Sequence, residues 1–192
     1  MNTIKPITIA VDFDGTCVSH EFPVDGNDIG AVPVLKRLIE AGHKLILFTM
    51  RSNKSSVQKG TYNVSDTADY LEHAVSWFIQ NDIPLFGVNS NPHQKSWTDS
   101  PKAFANIYID DAFLECSLKW DPNISERPFV NWGKVETKLE LQGLLPLNMN
   151  KLSMDDADLP ELIAKVHESI EGRYDLTASD EYDIHHFLCK LQ

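Results

Sequence analysis

Four short apolar runs, each ending in polar or acidic residues, constrain the fold of this chain more than any other feature. The runs are ITIAVDF (7–13), LILFTM (45–50), PLFGVN (84–89) and IYIDD (107–111). Near-continuous apolar runs are typical of strands that are buried on both faces. Segments with helical spacing separate the runs, and strands that alternate with helices form a parallel sheet with helices on both faces. The sequence therefore predicts an α/β fold, a Rossmann-like three-layer sandwich with a central parallel sheet.

The helical segments follow from the 3.6-residue spacing of apolar positions and from residues that begin or end helices. We predict helices within 31–44, 65–82 and 130–145, and a short helix in SPKAFA (100–105) capped by Ser100. The second helix begins at Ser65 or Asp66, and Gly42 ends the first.

The character of the chain changes near residue 148, where acidic amphipathic stretches begin. We therefore predict two domains, a catalytic domain at 1–147 and a C-terminal helical segment at 148–192. The apolar stripes of this segment must be buried somewhere. They could pack on the domain's own sheet, lean over the site, or join two copies of the chain into a homo-oligomer.

Composition excludes several classes of partner. Of the 192 residues, 28 are acidic and 17 are basic, so the formal net charge is −11, which repels nucleic acid phosphates and anionic membranes. The three cysteines have no metal-binding spacing, and we interpret them as reduced thiols of a cytoplasmic protein. No signal peptide and no membrane-spanning run are expected.

The acidic residues lie where a parallel sheet places its ligands, beyond the carboxyl ends of the strands. Asp12 and Asp14 leave the chain on the same side because side chains alternate along a strand. If the first and fourth strands are neighbours, Asp110 and Asp111 join them. Such a cluster cannot stay ionised unaided, and Mg2+ bound by carboxylates would neutralise it. The alternative is that these aspartates cap turns and helices.

Three segments together resemble the haloacid dehalogenase-like (HAD) superfamily of phosphohydrolases. DFDGT after a buried strand resembles its first motif, LILFTMR resembles its second, and SPKAFANIYIDD resembles its third and fourth. The resemblance covers residues 9–111 in the family's order and extends to about residue 145 for small capless members. It implies the HAD fold. The gaps between the motifs leave no room for a cap domain, so we expect an open site.

The resemblance also implies a reaction, the hydrolysis of a phosphomonoester through an aspartyl-phosphate intermediate. Asp12 would be the nucleophile, and Asp14 the general acid and base. The Asp14 backbone carbonyl would also contact Mg2+. Thr49 would bind the transferred phosphoryl group. A lysine would balance the developing charge; Lys102 is favoured over Lys95.

The remaining assignments concern the metal and the substrate. Asp12 and Asp14 with Asp110 and Asp111 would hold Mg2+, Asp111 being the first choice among the last two. We assign four further residues to substrate binding. They are Gly15, Thr16, His20 and Arg51. For Arg51 a structural salt bridge is an equal alternative. The expected substrate is a small phosphorylated metabolite or nucleotide.

Three other functions are compatible with parts of this pattern. A metal-dependent nuclease on a similar sheet would use the acids for two ions, but the acidic surface argues against it. A receiver domain has its phospho-accepting Asp in mid-chain, whereas here the order is reversed. A HAD scaffold kept only for binding would be catalytically silent.

Overall fold

The computed structural model describes residues 4–53, 69–146, 148 and 177. The chain divides into two compact units, Met1–Val135 and Glu136–Gln192. The boundary predicted at 147/148 therefore falls inside the second unit. The predicted helices of the C-terminal segment lie outside the described residues, and so does the helix start predicted at residue 65 or 66.

The first unit contains a four-stranded parallel sheet. Its strands are β1 (Thr8–Val11), β2 (Lys44–Leu47), β3 (Leu85–Val88) and β4 (Ile107–Ile109), in the order β3-β2-β1-β4. All four predicted strands are present, and the α/β class with a central parallel sheet is confirmed. The two central strands are almost wholly buried, which explains their near-continuous apolar sequences.

The strand register aligns the carboxyl ends of the three strands that carry the acidic and polar motifs. Val11 pairs with Leu47 on one side and with Ile109 on the other. The residues that follow these three positions therefore emerge side by side at one edge of the sheet. This register brings chain positions about one hundred residues apart to the same place.

Two helices follow the predicted pattern in the first unit. Helix α1 (Ala31–Glu40) buries the face that carries Val34 and Leu38, and α2 (Tyr70–Gln80) buries the face that carries Ala74 and Phe78. After α1, Gly42 has φ +88° and donates its N–H to Ile39 O, which ends the helix as predicted. A third helix, α3 (Trp132–Leu141), begins in the first unit and continues into the second.

The short helix predicted to begin at Ser100 is wrong. Residues 100–105 form bends and irregular chain, and a short 3-10 helix lies earlier, at Gln94–Ser96. The Gln94 side chain explains the difference, because its amide donates to the carbonyls of Ser100 and Lys102 and accepts from the Phe104 N–H. Backbone groups that a helix would pair internally are paired with one side chain instead.

A small antiparallel pair, β5 (Leu118–Lys119) and β6 (Phe129–Val130), was not predicted. Its strands have two residues each, too few for periodicity to reveal. The pair adjoins the first motif, because the Val130 N–H donates to Gly15 O at 2.9 Å.

The cysteine and membrane predictions can be checked only over the described residues. There, Cys17 and Cys116 form no disulfide, and Cys189 lies outside the described part of the chain. None of the helices described is long and apolar enough to cross a bilayer.

Candidate functional site

A cavity of about 400 Å3 opens at the carboxyl edge of the sheet. Its lining consists of Asp12, Asp14, His20, Phe22, Thr49, Met50, Arg51, Asp110, Asp111 and Ala112. Seven of the ten predicted site residues are in this list. We call this space the acidic cavity. The aligned ends of β1, β2 and β4 bring its polar residues together.

Three carboxylates form the centre of the acidic cavity. Asp12, Asp110 and Asp111 each offer an oxygen, and these oxygens lie within 4.8 Å of one another. The Asp12 N–H donates to Ile109 O at 3.0 Å, which fixes the end of β1 beside the end of β4. The first and fourth strands are therefore neighbours, the condition on which the predicted cluster depended, and three of the four predicted metal-binding residues come together.

The electrostatics of the cluster are unfavourable without a cation. The pKa of Asp12 is raised from 3.8 to about 7, chiefly by burial and in addition by the charges of Asp110, Asp111 and Asp14. A backbone hydrogen bond from Phe13 acts in the opposite direction. A divalent cation with oxygen ligands would offset both causes, so the donor set fits Mg2+.

Asp111 is affected in the same direction. Burial and the charge of Asp110 raise its pKa, while His20 and Arg127 act to lower it. The effects of His20 and Arg127 do not cancel the first two causes. At Asp12 and Asp111, therefore, nearby positive charge does not balance the burial and the neighbouring negative charges.

The loop after β1 contacts the carboxylate cluster through Gly15 and Thr16, which lie against Asp111. Gly15 has φ +83°, and a Cβ there would collide with Asp111 Oδ2, so a larger residue would displace that carboxylate. The Asp111 N–H donates to Thr16 Oγ1 at 3.0 Å, and Trp132 Nε1 donates to the Thr16 carbonyl at 2.6 Å. Gly15 and Thr16, predicted to bind substrate, thus contact Asp111 and do not line the cavity.

Thr49 is the second residue after β2 and lines the acidic cavity together with Asp12. Its N–H donates to Asn89 Oδ1 at 2.8 Å, and its hydroxyl accepts the Arg51 N–H at 3.2 Å. Because the hydroxyl is the acceptor in that bond, its own hydrogen can be donated into the cavity. Asn89, for which we predicted no role, anchors this turn from a left-handed conformation with φ +48°.

Arg51 is a buried cation of the site, with only 3% of its surface exposed. The guanidinium binds both oxygens of Asp14 at 2.7 Å. The bonds to Asp14 and Asp25 raise the pKa of Arg51 against the opposing effect of burial. The carboxylate of Asp14 is thus engaged in a salt bridge and lies outside the cluster of three.

The two candidate lysines are not among the residues that line the acidic cavity. The Lys102 ammonium lies 5.6 Å from the centre of the Tyr108 ring. Tyr108 lies on β4, two positions before Asp110 in the sequence. Lys95 lines a separate cavity of about 270 Å3 with Asn91 and other polar residues. Lys102 is therefore at β4, near the strand that ends in the acids, whereas Lys95 belongs to a different depression.

His20 faces the same cavity from the loop after β1. Its Nδ1 is buried and has no hydrogen-bond partner within the described ranges. An unpaired buried nitrogen in a cavity is a group that a bound molecule could satisfy.

Comparisons with known proteins give one similarity. No family model matches the chain, and no curated protein matches it. The chain is similar to a solved structure described as a conserved protein from Bacteroides thetaiotaomicron, with 26% sequence identity and a TM-score of 0.51. The similarity covers 72% of this chain and 93% of that one.

Proposed function

We propose that this protein is a Mg2+-dependent phosphomonoester hydrolase in which Asp12 is the nucleophile. The observation that carries the proposal is the convergence of Asp12, Asp110 and Asp111 within 4.8 Å in a cavity that Asp14 and Thr49 also line. The HAD-like motifs of the sequence supply the reaction type.

The chain's own residues divide the chemistry as follows. An Asp12 oxygen attacks phosphorus, a P–O bond of the ester breaks, and the alcohol leaves with a proton that Asp14 supplies. Water, deprotonated by Asp14, then attacks the aspartyl phosphate and releases inorganic phosphate. The Thr49 hydroxyl donates to the phosphoryl oxygens and keeps them in line with Asp12.

Mg2+, when bound by Asp12, Asp110 and Asp111, would neutralise the charge that repels a phosphate from these carboxylates. Lys102 is proposed as the charge-balancing lysine. To balance the charge, the Lys102 ammonium would have to turn from the Tyr108 ring toward Asp110. His20, with its unpaired Nδ1, is proposed to contact the substrate.

The substrate class that we propose is a small phosphorylated metabolite or nucleotide. A net charge of −11 disfavours long nucleic acids. The reduced state of Cys17 and Cys116, which form no disulfide, supports a cytoplasmic location. Association of two copies through residues 148–192 remains part of the proposal and can be tested by measuring mass in solution after deletion of that segment.

Hydrolysis of an aryl phosphate tests the proposal directly. Purified protein should release phosphate with Mg2+ and stop when a chelator is added. Asp12→Asn should abolish turnover, and acid-quenched wild-type protein should carry a phosphoryl group on the peptide that contains Asp12. Equal turnover by Asp12→Asn would show that another residue is the nucleophile.

A second candidate is a metal-binding protein of this fold without turnover. This candidate requires that the salt bridge between Asp14 and Arg51 persists when a phosphate ester binds, so that Asp14 has no proton to donate. Under this candidate Mg2+ binds to the wild-type protein but no phosphate ester in a panel of metabolites is hydrolysed.

A further inference from the structure

Arg51 makes its strongest contacts with Asp14. Nε donates to Oδ2 and Nη2 donates to Oδ1, both at 2.7 Å. This two-point grip fixes the plane of the carboxylate as well as its position, which a single hydrogen bond could not do. The orientation of Asp14 is therefore set by Arg51, a residue of the turn after β2.

The other donors of Arg51 are engaged by the loop after β1. Nη2 donates to Val24 O at 2.9 Å and Nη1 to Asp25 Oδ1 at 3.2 Å. The rings of Phe13 and Phe22 lie 4.7 and 5.6 Å from the guanidinium carbon. A guanidinium has five N–H groups. These contacts, with the two to Asp14, leave too few for a two-point grip on a phosphate.

We propose that Arg51 is a positioning residue for the reaction and acts through Asp14, not through the substrate phosphate. The inference rests on the proposed function, in which Asp14 exchanges a proton with the leaving group and with water. Proton transfer needs Asp14 within hydrogen-bond reach of the oxygen that leaves. The same guanidinium holds Val24 and Asp25, so one side chain sets both the carboxylate and the adjacent loop.

A double-mutant cycle separates the two roles. Arg51→Ala should lower kcat for an aryl phosphate about 100-fold, the order of a general acid-base contribution, with KM within about twofold. In an Asp14→Asn background the same change should cost less than about threefold, because nothing remains to be positioned. Equal losses in both backgrounds, or a loss mainly in KM, would overturn the inference.

Two further variants serve as controls. Asp25→Ala removes a loop contact but leaves both bonds to Asp14, so kcat should stay within about threefold of wild type. Arg51→Lys keeps a positive charge without the two-point grip. It should lose kcat as Arg51→Ala does, and it carries the same cycle if the alanine variant does not fold.

Binding of inorganic phosphate tests the inference without turnover. With Mg2+ present, calorimetry should give Kd values within about twofold for wild type and for Arg51→Lys. Weakening by about tenfold or more would place Arg51 on the phosphate. If the wild type binds phosphate but hydrolyses no ester, the proposed function fails. In that case two measurements on Arg51→Lys still decide whether Arg51 contacts the phosphate or holds Asp14 and the loop. A phosphate Kd close to that of wild type, together with faster amide exchange at residues 21–28, would show that Arg51 holds the loop.

Discussion

Replacing Asp12 by asparagine should stabilise the metal-free protein at neutral pH, although the same change should abolish turnover. The pKa of Asp12 is about 7 in the folded protein against 3.8 for the unperturbed group. A difference of about 3 pH units corresponds to about 4 kcal/mol, because each unit is worth about 1.4 kcal/mol. Asparagine has nearly the same shape and no charge, so it escapes this cost.

The pH dependence follows from the sign of the shift. Below the unfolded pKa both states are protonated at Asp12, and the folded state bears no penalty. Between pH 3.8 and about 7 the unfolded state ionises while the folded state keeps its proton, so the free energy of unfolding falls as pH rises. Above about pH 7 both states are ionised and the penalty is constant. The raised pKa of Asp111 acts in the same direction.

Urea unfolding followed by tryptophan fluorescence measures this difference. All four tryptophans lie between residues 77 and 132, so the signal reports on the first unit. With chelator present, Asp12→Asn should match wild type near pH 4 and exceed it by up to about 4 kcal/mol at pH 8. Equal stabilities at pH 8 would refute the assignment of a strained, partly buried carboxylate.

Adding Mg2+ to the same experiment tests the cause. At a concentration of 100 times its Kd, the ion should stabilise wild type by about 2.7 kcal/mol at pH 8. The Asp12→Asn variant should gain much less, because it lacks one ligand and most of the repulsion that the ion relieves. A gain of the same size in both proteins would place the ion elsewhere.

Three further substitutions test individual contacts. Gly15→Ala should lower the free energy of unfolding by about 2 kcal/mol or more and weaken Mg2+ binding, because the new Cβ would collide with the Asp111 carboxylate. Gly30→Ala is the control, because Gly30 has a similar φ and open space around it. It should lower the free energy of unfolding by only about 1 kcal/mol and leave Mg2+ binding unchanged. Lys102→Ala should lower turnover about 100-fold and Lys95→Ala by less than about threefold, and the reverse ranking in steady-state assays would reassign the charge-balancing role. Trp132→Phe should lower the free energy of unfolding by about 1 to 3 kcal/mol, measured by urea titration followed by circular dichroism, because a buried backbone carbonyl loses its donor.

The sheet could be predicted from the sequence because its information is local. Each strand is a short apolar run, and the helices between them force parallel order. The meeting of Asp12 with Asp110 and Asp111 then follows from strand adjacency, which the register of β1 with β4 confirms. Polar residues at the ends of adjacent strands must share one edge, whatever the details of the loops.

The parts that the sequence did not predict depend on contacts between distant loops. The β5–β6 pair has two-residue strands, and no periodicity exists over two residues. The failed helix at Ser100 had a good cap and a proline at its first position, but one glutamine side chain captured three of the segment's backbone groups. Local propensity was overridden by a single tertiary partner, as is common for short helices.

The pairing of Asp14 with Arg51 is the most informative of these differences. Spacing alone put four carboxylates at the sheet edge, and repulsion among them argued for a cation. The chain itself supplies one cation, Arg51, from the turn after β2. Its guanidinium donates hydrogen bonds to both carboxylate oxygens of Asp14. The remaining three carboxylates then match the oxygen donors of a divalent ion. Two aspartates of one motif, Asp12 and Asp14, thereby have different partners: Asp14 has a guanidinium, and Asp12 has the two carboxylates at the end of β4.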